Sequence, residues 1–573
     1  MSASSGVKTF ASVLLALAAA VSVADEGVLH GRVLPLERIT AKNAKGDESQ
    51  KAWSGRAWRN ERVHAAFALW GEGCGDITAT AEPLVGPGGA KIPLKVRWVR
   101  EVIADDRPHM AKVDPAKYPP YRVGDILDEE HPFKLTEDGC RGVWASAKTP
   151  ADAPVGTYRG KLCVKSAAKV LEFPLELEVV ADALPAVKEF HLDIWQTPWT
   201  VARYYNLKPF SPEHYAKMEP FFRELADAGQ KTITTTITDY PWNERKNIDS
   251  ARSMVRYVKR RDGTFVADFS VMDGFVAFAE KCGIGPQIHC YAPVKFERSH
   301  TYQYFDERTG RDVSVRLLPA TPEYEAYWGP LLAQLEAHAK EKGWVGRLYV
   351  ALDELPGKET AATAALIAKH APSAKFQMAG NRVPSEFRGV KIDSYSQELR
   401  NSRYVPKSFY DEVAKRRSDG QLTTVYTCCN PFRPNCLPMN PLHEQRWIGL
   451  FIAAKGFDGY LKSTFFRWVQ STDPLVDTHC YPNFPCGDSY LAYPGPRLSL
   501  RWESMVDGFE DWEKIRILKE TGRFTPALAE ALGRIDFVRF EKSDAATVRA
   551  DVEACLAEID RASAGVWNGH LAR

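Results

Sequence analysis

Two adjacent carboxyl side chains follow a short apolar run near the middle of the chain. Gly346-Arg-Leu-Tyr-Val-Ala-Leu352 precedes Asp353 and Glu354, and Pro356-Gly357 comes shortly after them. Such a run predicts a buried parallel strand that ends at the two acids. In a barrel of alternating strands and helices, catalytic groups lie at this carboxyl end of the strands. Asp353 and Glu354 are therefore the predicted catalytic residues.

Aromatic and polar residues gather at or after the ends of other predicted strands. Indole and phenol rings pack against the C–H faces of sugars, and carboxylates accept hydrogen bonds from hydroxyl groups. This pattern predicts a site for a neutral, polyhydroxylated ring, so that a glycan is the expected substrate. The predicted substrate-binding residues are Trp195, His289, Tyr291, Tyr395, Tyr426, Trp468, Asp488 and Tyr490.

The spacing of the two acids restricts the chemistry on such a ring. Most glycosidases place two carboxyl groups about 5–5.5 Å apart for retention or about 6.5–9.5 Å apart for inversion. Consecutive residues have Cα atoms only about 3.8 Å apart, so they flank a sugar ring poorly. An adjacent pair suits substrate assistance instead. In that scheme Glu354 protonates the leaving oxygen, while Asp353 orients a 2-acetamido group whose carbonyl attacks the anomeric carbon.

The elements that must position these residues follow a repeating pattern after residue 187. Strands are predicted at 189–195, 231–237, 286–291, 347–352, 375–379, 390–395, 422–427 and 458–465. Amphipathic helices are predicted between them at 212–228, 271–282, 322–342 and 440–455. Eight such strands predict a (β/α)8 TIM barrel over residues 187–521, of α/β class. A doubly wound open sheet is the alternative, but no GxGxxG motif follows a strand, which favours the barrel.

The remaining segments predict three further parts. Residues 25–186 alternate short strands with Gly and Pro turns, which indicates an N-terminal β-sandwich domain of all-β class. Residues 522–573 predict two C-terminal helices, near 526–534 and 544–561, after a closing helix that begins near Ser499. Residues 1–24 combine a short apolar run with a small-residue cleavage site, which predicts a secretory signal peptide. An exported protein, periplasmic or extracellular, is expected.

Composition argues against several function classes. The 573 residues include 75 basic and 73 acidic side chains, a net charge of +2, so no nucleic acid or anionic membrane partner is indicated. No segment after the signal peptide has the length of a bilayer span, and no membrane insertion is expected. No basic cluster suggests phosphate and no histidine-rich set suggests a metal. We therefore expect neither a cofactor nor a metal.

Eleven cysteines are an odd number for an exported chain. Cys428, Cys429, Cys436, Cys480 and Cys486 lie in the last third, and none forms a CxxC motif. One or two disulfides, for example between Cys480 and Cys486, are one possibility. Buried thiols are the other.

Several longer motifs resemble a known family. They include Leu348–Glu354, residues 444–447 and 456–461, and a C-terminal signature in which residues 487–495 lead into 499–513. On these motifs most of residues 60–520 resembles glycoside hydrolase family 123, the β-N-acetylgalactosaminidases. The resemblance implies a β-sandwich, a (β/α)8 barrel and a substrate-assisted retaining mechanism on terminal β-linked N-acetylgalactosamine (GalNAc). The family's catalytic Asp-Glu pair falls on Asp353 and Glu354.

Two departures from the family pattern concern the predicted pocket. Arg467 follows the eighth predicted strand, and Thr427-Cys428-Cys429-Asn430 follows the seventh. An exo-acting glycosidase for β-linked GalNAc is the leading hypothesis. A glycosidase of the same fold for another sugar, and a non-catalytic glycan-binding protein, are the alternatives.

Overall fold

The computed structural model describes residues 27–564, apart from 35–36, 39–40, 109–113, 168, 243–246, 297, 383, 385–386, 388, 404–406 and 481–483. The predicted signal peptide at residues 1–24 lies outside these ranges. Within them, no helix has both the length and the apolar character needed to cross a bilayer.

Two facing sheets form the N-terminal part. Their alternating apolar residues explain the arrangement, since Leu171, Phe173, Leu175 and Leu177 on one strand all point into the core between the sheets. The elements are β1 (Val28–Leu34), α1 (Ala41–Ala44), β2 (Trp53–Arg59), β3 (Arg62–Glu72), β4 (Thr78–Ala81), β5 (Leu84–Val85), β6 (Lys91–Ile92), β7 (Lys95–Ala104), β8 (Tyr121–Asp128), β9 (Cys140–Lys148), β10 (Gly156–Lys165) and β11 (Val170–Ala183). One sheet has the order β1-β3-β9-β7-β8, and the other has β2-β11-β10-β5-β6 with β4 on β10.

Eight parallel strands form the predicted barrel. The strands after residue 187 are β12 (His191–Ile194), β13 (Thr232–Thr236), β14 (Arg256–Lys259), β15 (Phe265–Asp268), β16 (Gln287–Tyr291), β17 (Thr301–Asp306), β18 (Arg311–Arg316), β19 (Leu348–Asp353), β20 (Lys375–Gly380), β21 (Ser394–Glu398), β22 (Leu422–Tyr426), β23 (Gly459–Lys462), β24 (Ala492–Tyr493) and β25 (Arg497–Ser499). The barrel order is β12-β23-β22-β21-β20-β19-β16-β13. Strands β14, β15, β17 and β18 form a separate small sheet that was not predicted.

Side-chain amides close the barrel between its first and second strands. There β12 and β13 lack a regular ladder, and only Leu192 and Gln230 form a bridge. Gln230 accepts a hydrogen bond from the Ile194 amide at 2.9 Å, and Gln196 accepts one from the Thr234 amide at 2.9 Å. Two buried glutamines thus satisfy backbone groups that would otherwise lack partners at this seam.

Helices cover the barrel and extend beyond it. The longer ones carry local signals, such as the Ser211 cap at the start of α3 and Gly229 with a φ of 98° at its end. They are α2 (Pro198–Tyr204), α3 (Pro212–Ala228), α4 (Ser270–Cys282), α5 (Pro322–Glu341), α6 (Gly357–His370), α7 (Lys407–Ser418), α8 (Leu442–Lys455), α9 (Leu500–Glu520), α10 (Pro526–Gly533), α11 (Phe537–Lys542) and α12 (Ala545–Ala562). The prediction of two helices after α9 omitted the short α11.

The segment between the barrel and α9 belongs in part to the N-terminal sheet. Strand β25 pairs with β8 and carries β24 with it, so residues assigned by sequence to the barrel extend the sandwich. Helix α9 is almost wholly buried and contributes buried ion pairs to both parts. Arg501 lies 2.9 Å from Asp125, and Glu510 lies 2.8 Å from Lys188.

All eleven cysteines are thiols in the structure. The Cys480–Cys486 disulfide, one of the two possibilities, is not formed. Cys480 Sγ instead lies 3.3 Å from Ser489 Oγ, and Cys486 Sγ lies 3.7 Å from Asp105. Eight of the eleven cysteines are buried thiols, which was the other possibility. Cys163, Cys428 and Cys429 are partly exposed.

Candidate active site

The two predicted acids stand at the carboxyl end of β19. Residues 348–352 are buried, Asp353 is the last residue of the strand, and Glu354 follows it. Glu354 has a φ of 47°, in the left-handed region, and its amide donates to the Ala379 carbonyl at 2.9 Å. The strand thus delivers both carboxyl groups to one end of the barrel, and a strained backbone turns the second one.

A cavity of about 260 Å³ opens over this pair. This volume is just below the range of about 300–1,000 Å³ for small-molecule pockets, which suits a ligand no larger than a single sugar ring. Besides Asp353 and Glu354 its walls include Trp195, Trp242, Asn381, Glu398, Tyr426 and Arg467. These residues follow or end barrel strands, as expected for a TIM-barrel site.

Larger cavities lie elsewhere. One of about 500 Å³ is between β7, β8 and residues 495–498, and one of about 710 Å³ is between α10 and α12. A third, of about 400 Å³, lies beside the small sheet and is lined by Asp239, which follows β13. None of the three is lined by Asp353 or Glu354, so the smaller cavity over this pair is the candidate active site.

A tyrosine hydroxyl holds the second acid. Tyr426, at the end of β22, donates a hydrogen bond to Glu354 Oε1. Burial, and next the nearby Glu354 charge, raise the pKa of Tyr426 well above its usual range, so it remains a donor. This contact fixes the orientation of the Glu354 carboxyl group in the cavity.

A third carboxyl group shares the cavity. Glu398 ends β21 and is buried, and Arg400 lies 3.2 Å from one of its oxygens. Burial raises the pKa of Glu398; Arg400 opposes this shift, and the negative charge of Glu354 adds to it. Glu398 therefore holds its proton to higher pH than a surface glutamate does.

Two indoles form another wall of the cavity, and a phenol lies behind them. The ring centroids of Trp195 and Trp242 are 4.7 Å apart, and each lies about 5 Å from the ring of Tyr291. Tyr291 is fully buried and donates to Gln377 at 3.2 Å, so it supports the indoles from beneath and does not line the cavity. The Nε1 atoms of both indoles are buried, and within the described part of the chain neither makes a hydrogen bond of normal geometry.

His289 and Tyr395, both predicted to bind substrate, lie away from the cavity. His289 is buried inside the barrel with Nδ1 3.5 Å from Asp193. Burial lowers the pKa of His289 and raises that of Asp193 to about 8, so the pair is uncharged at neutral pH. Tyr395 is the second residue of β21, not near its end as predicted, and its hydroxyl donates to the Arg382 carbonyl.

The three predicted residues after β23 are also core residues. Trp468 is fully buried, donates to the Ala492 carbonyl at 2.8 Å and packs against Phe221. Asp488 is a buried ion-pair partner of Lys462, and Tyr490 packs against Tyr493 with centroids 5.3 Å apart. None of them lines the cavity, so their predicted placement around the sugar is wrong. After β23, Phe465 and Trp468 pack against α3 and α9, whereas Ser463 and Arg467 face the cavity.

Comparison with protein families places the fold and the cavity in context. The model of the glycoside hydrolase 123 catalytic domain matches residues 195–518, and that of the family's N-terminal domain matches residues 39–166. The chain belongs to glycoside hydrolase family 123. It is accordingly a glycosidase with the β-sandwich and barrel of that family.

One of the solved structures similar to this chain shares its whole fold. A family 123 glycoside hydrolase from Clostridium perfringens, studied for glycolipid glycan hydrolysis, aligns with a TM-score of 0.81 at 20% identity, covering 93% of this chain and 98% of that one. A GH10 xylanase with a bacterial Ig-like domain from termite gut gives a TM-score of 0.31 at 10% identity, covering 81% and 100%. Amylomaltase from Corynebacterium glutamicum gives 0.26 at 12% identity, covering 80% and 89%. The last two scores are too low to inform the site. No curated protein matches the chain.

Glu398 and Arg400 are among the cavity residues of this family 123 chain that the sequence prediction missed, as are Trp242 and Asn381. Strand β21 spans Ser394–Glu398, whereas the prediction ended it at residue 395. Its residues Ser-Tyr-Ser-Gln-Glu are mostly polar but all buried, so their polar character gave no signal for a barrel strand.

Proposed function

We propose that this protein is an exo-acting β-N-acetylhexosaminidase that removes terminal β-linked GalNAc by a substrate-assisted, retaining mechanism. The observation that carries the proposal is that the two consecutive acids Asp353 and Glu354 lie on one cavity of single-sugar size. Consecutive residues are poorly placed to approach a sugar from opposite faces, whereas they can serve the acid and the acetamido-orienting roles together. The choice of GalNAc rests on the resemblance to family 123.

Glu354 has the role of general acid and base in this proposal. The Tyr426 hydroxyl holds one of its oxygens, so the other oxygen is available to the glycosidic bond. Glu354 donates its proton to the leaving oxygen as the anomeric bond breaks. It then removes a proton from the water that opens the oxazolinium intermediate, which returns the enzyme to its starting state.

Asp353 has the role of orienting the substrate's own nucleophile. Its carboxylate accepts a hydrogen bond from the acetamido N–H, which directs the carbonyl oxygen at the anomeric carbon. This bond strengthens as positive charge develops on the oxazolinium, so it acts mainly in the transition state. Trp195 and Trp242 offer an apolar face to the same ring.

We propose a glycan chain end, for example that of a glycolipid, as the source of this sugar. The C. perfringens family 123 enzyme hydrolyses glycolipid glycans, and the small cavity here fits one terminal residue. We also propose that residues 1–24 are removed on export. The mass of the secreted protein, compared with that of the full chain, tests the latter directly.

Hydrolysis rates of the 4-nitrophenyl β-glycosides of GalNAc, N-acetylglucosamine, galactose and glucose test the proposed reaction. We expect the wild type to cleave the glycosides of the two acetamido sugars, that of GalNAc faster than that of N-acetylglucosamine. The matched variant Asp353→Asn should cleave them only at a residual rate. Faster cleavage of the galactoside or glucoside would contradict substrate assistance. A preference for N-acetylglucosamine would contradict the assigned sugar alone. Binding of GalNAc without hydrolysis of any glycoside would support the glycan-binding alternative.

A further inference from the structure

Two adjacent cysteines lie in the wall of the catalytic cavity. Cys428 and Cys429 line it, two and three residues after Tyr426 at the end of β22. Of the eleven cysteines only these two and Cys163 are not fully buried. The position is thus both accessible and close to the acid Glu354, which Tyr426 contacts.

The backbone turn brings both sulfurs to the same side. Consecutive side chains of an extended strand point in opposite directions. After β22 the chain bends, and the Sγ atoms of Cys428 and Cys429 lie 3.7 Å apart. The buried Asn435 holds this bend by donating to the Cys428 carbonyl at 2.8 Å and to the Pro431 carbonyl at 2.6 Å. The two thiols are therefore in contact in a fixed turn.

We propose that Cys428 and Cys429 form a dithiol that closes to a disulfide in the wall of the cavity. Exchange with a low-molecular-weight disulfide of the glutathione class supplies the oxidant. Two S–H bonds break and one S–S bond forms, and the reagent takes up both protons and both electrons to leave as two thiols. The proposal concerns the cysteines alone and does not depend on which sugar the enzyme cleaves.

Geometry indicates that this bond is easily reduced. A disulfide needs sulfurs about 2.05 Å apart and Cα atoms usually about 4.4–6.8 Å apart. Consecutive Cα atoms are only about 3.8 Å apart, so the ring is strained. Strained, exposed disulfides have oxidising potentials and belong to the labile class, not to the structural one. The proposed export would place this couple in an oxidising compartment.

Closing the ring changes the cavity beside the catalytic acid. The sulfurs must approach each other by more than an ångström, which shifts residues 427–429 and, through them, Tyr426. Because a misplacement of about 1 Å can cost about 10²-fold in rate, we expect the oxidised enzyme to be about tenfold to 10²-fold slower.

Intact mass and activity after treatment of the full chain with oxidised glutathione test the proposal. We expect the wild type to lose two hydrogens, to gain no glutathione at residues 428–429, and to slow as stated until a dithiol reductant restores it. Cys163→Ser is the matched control, because it removes the partly exposed thiol on β10. Residues 428–429 of this variant should form the disulfide, and its activity should fall, as in the wild type. Cys428→Ser and Cys429→Ser should each form a single mixed disulfide with glutathione instead.

Two results would overturn the proposal. One is glutathione on both cysteines of the wild type with no internal disulfide, which would show that the sulfurs cannot join. The other is full hydrolytic activity of an enzyme whose mass shows the closed disulfide. Peptide mapping of the Cys428–Cys429 segment reports bond formation independently of activity, so a wrong substrate assignment would not be mistaken for failure here.

Discussion

At the scale of single residues, Tyr426 is the group that links the barrel to the chemistry of Glu354. Its hydroxyl donates to the carboxyl group and its ring is buried in the cavity wall. Tyr426→Phe removes this contact and leaves the Glu354 side chain free to rotate. We expect kcat on a poor leaving group to fall about 10²-fold, within the range of general acid catalysis, and less on 4-nitrophenyl substrates.

Steady-state kinetics on both kinds of substrate measure this effect. Tyr302→Phe is the matched control, because its buried hydroxyl donates to the Pro293 carbonyl at 2.7 Å outside the cavity. Equal losses on good and poor leaving groups would mean that Tyr426 does not act through the acid.

Glu398 is the second residue whose role the structure suggests. It lines the cavity, burial raises its pKa, and its carboxyl group can hydrogen-bond with a sugar hydroxyl. Glutamine keeps the size of this side chain and a hydrogen-bonding carbonyl group. We expect Glu398→Gln to raise KM with kcat within about tenfold of the wild type, because it affects binding more than chemistry.

The rival role for Glu398 is that of a nucleophile. In that case Glu398→Gln would abolish turnover, and a 2-fluoro sugar would leave a glycosyl adduct on Glu398. Kinetics of the variant and mass spectrometry of the trapped wild type distinguish the two roles.

At the scale of elements, the end of β19 stores strain at the catalytic acid. Glu354 has a φ of 47°, a conformation that costs a non-glycine residue about 1–2 kcal/mol. Glycine avoids this cost but loses about 0.5–1 kcal/mol of unfolded-state entropy. We expect Glu354→Gly to be more stable than Glu354→Ala by about 0.5–1 kcal/mol, although both lack the acid. Urea unfolding of the two variants measures the difference; an alanine variant of equal or greater stability would show that the backbone relaxes.

The elements also show what the sequence could predict. Helix α3 has the predicted bounds Pro212–Ala228, and β19 ends at the predicted acids, because caps and apolar runs are local signals. The glutamine-closed seam, the small sheet of β14, β15, β17 and β18 and the end of β21 depend on contacts between distant segments. Trp468 was misplaced for the same reason: no local pattern tells whether an aromatic residue after a strand turns toward a cavity or into the core.

At the scale of the whole molecule, residues 476–479 join the barrel to the N-terminal sheet. Ile103, in β7, donates to the Val476 carbonyl and accepts from the Thr478 amide. His479 lies between the carboxylates of Asp105 and Asp477, at 2.9 Å from the former. Arg107 and Cys486 face the same carboxylate of Asp105. The junction is therefore held partly by ionisable groups.

This junction should make stability depend on pH. Hydrogen bonds with Asp105 and, next, Asp477 raise the pKa of His479. A histidine with a raised folded pKa stabilises the fold fully below about pH 6.5, and this contribution is lost as the pH rises through that pKa. Burial opposes a low pKa for Asp105, but hydrogen bonds from His479 and Arg107 lower this pKa to about 2. The contribution of Asp105 to the stability of the fold is therefore lost only as the pH falls toward that value.

His479→Gln tests the pH dependence. We expect the thermal midpoint of the variant to lie furthest below that of the wild type near pH 6 and the gap to narrow by pH 8.5. Asp477→Asn removes one of the two carboxylates beside His479. We expect the thermal midpoint of this variant to change less between pH 6 and pH 8.5, relative to its own maximum, than that of the wild type does. A gap that is constant from pH 6 to 8.5 would show that His479 acts only by packing.

The central claim for the whole molecule is that the acetamido group of the substrate acts as the nucleophile. The most direct test of this claim varies that group alone. The measurement is kcat/KM for 4-nitrophenyl β-GalNAc analogues in which the N-acetyl methyl carries none, one, two or three fluorines. Each fluorine weakens the carbonyl oxygen as a nucleophile, so the rates should fall steeply and progressively, with Asp353→Asn already slow on the unfluorinated sugar. Rates that are independent of fluorination, together with a 2-fluoro glycosyl adduct on Asp353, would contradict the account.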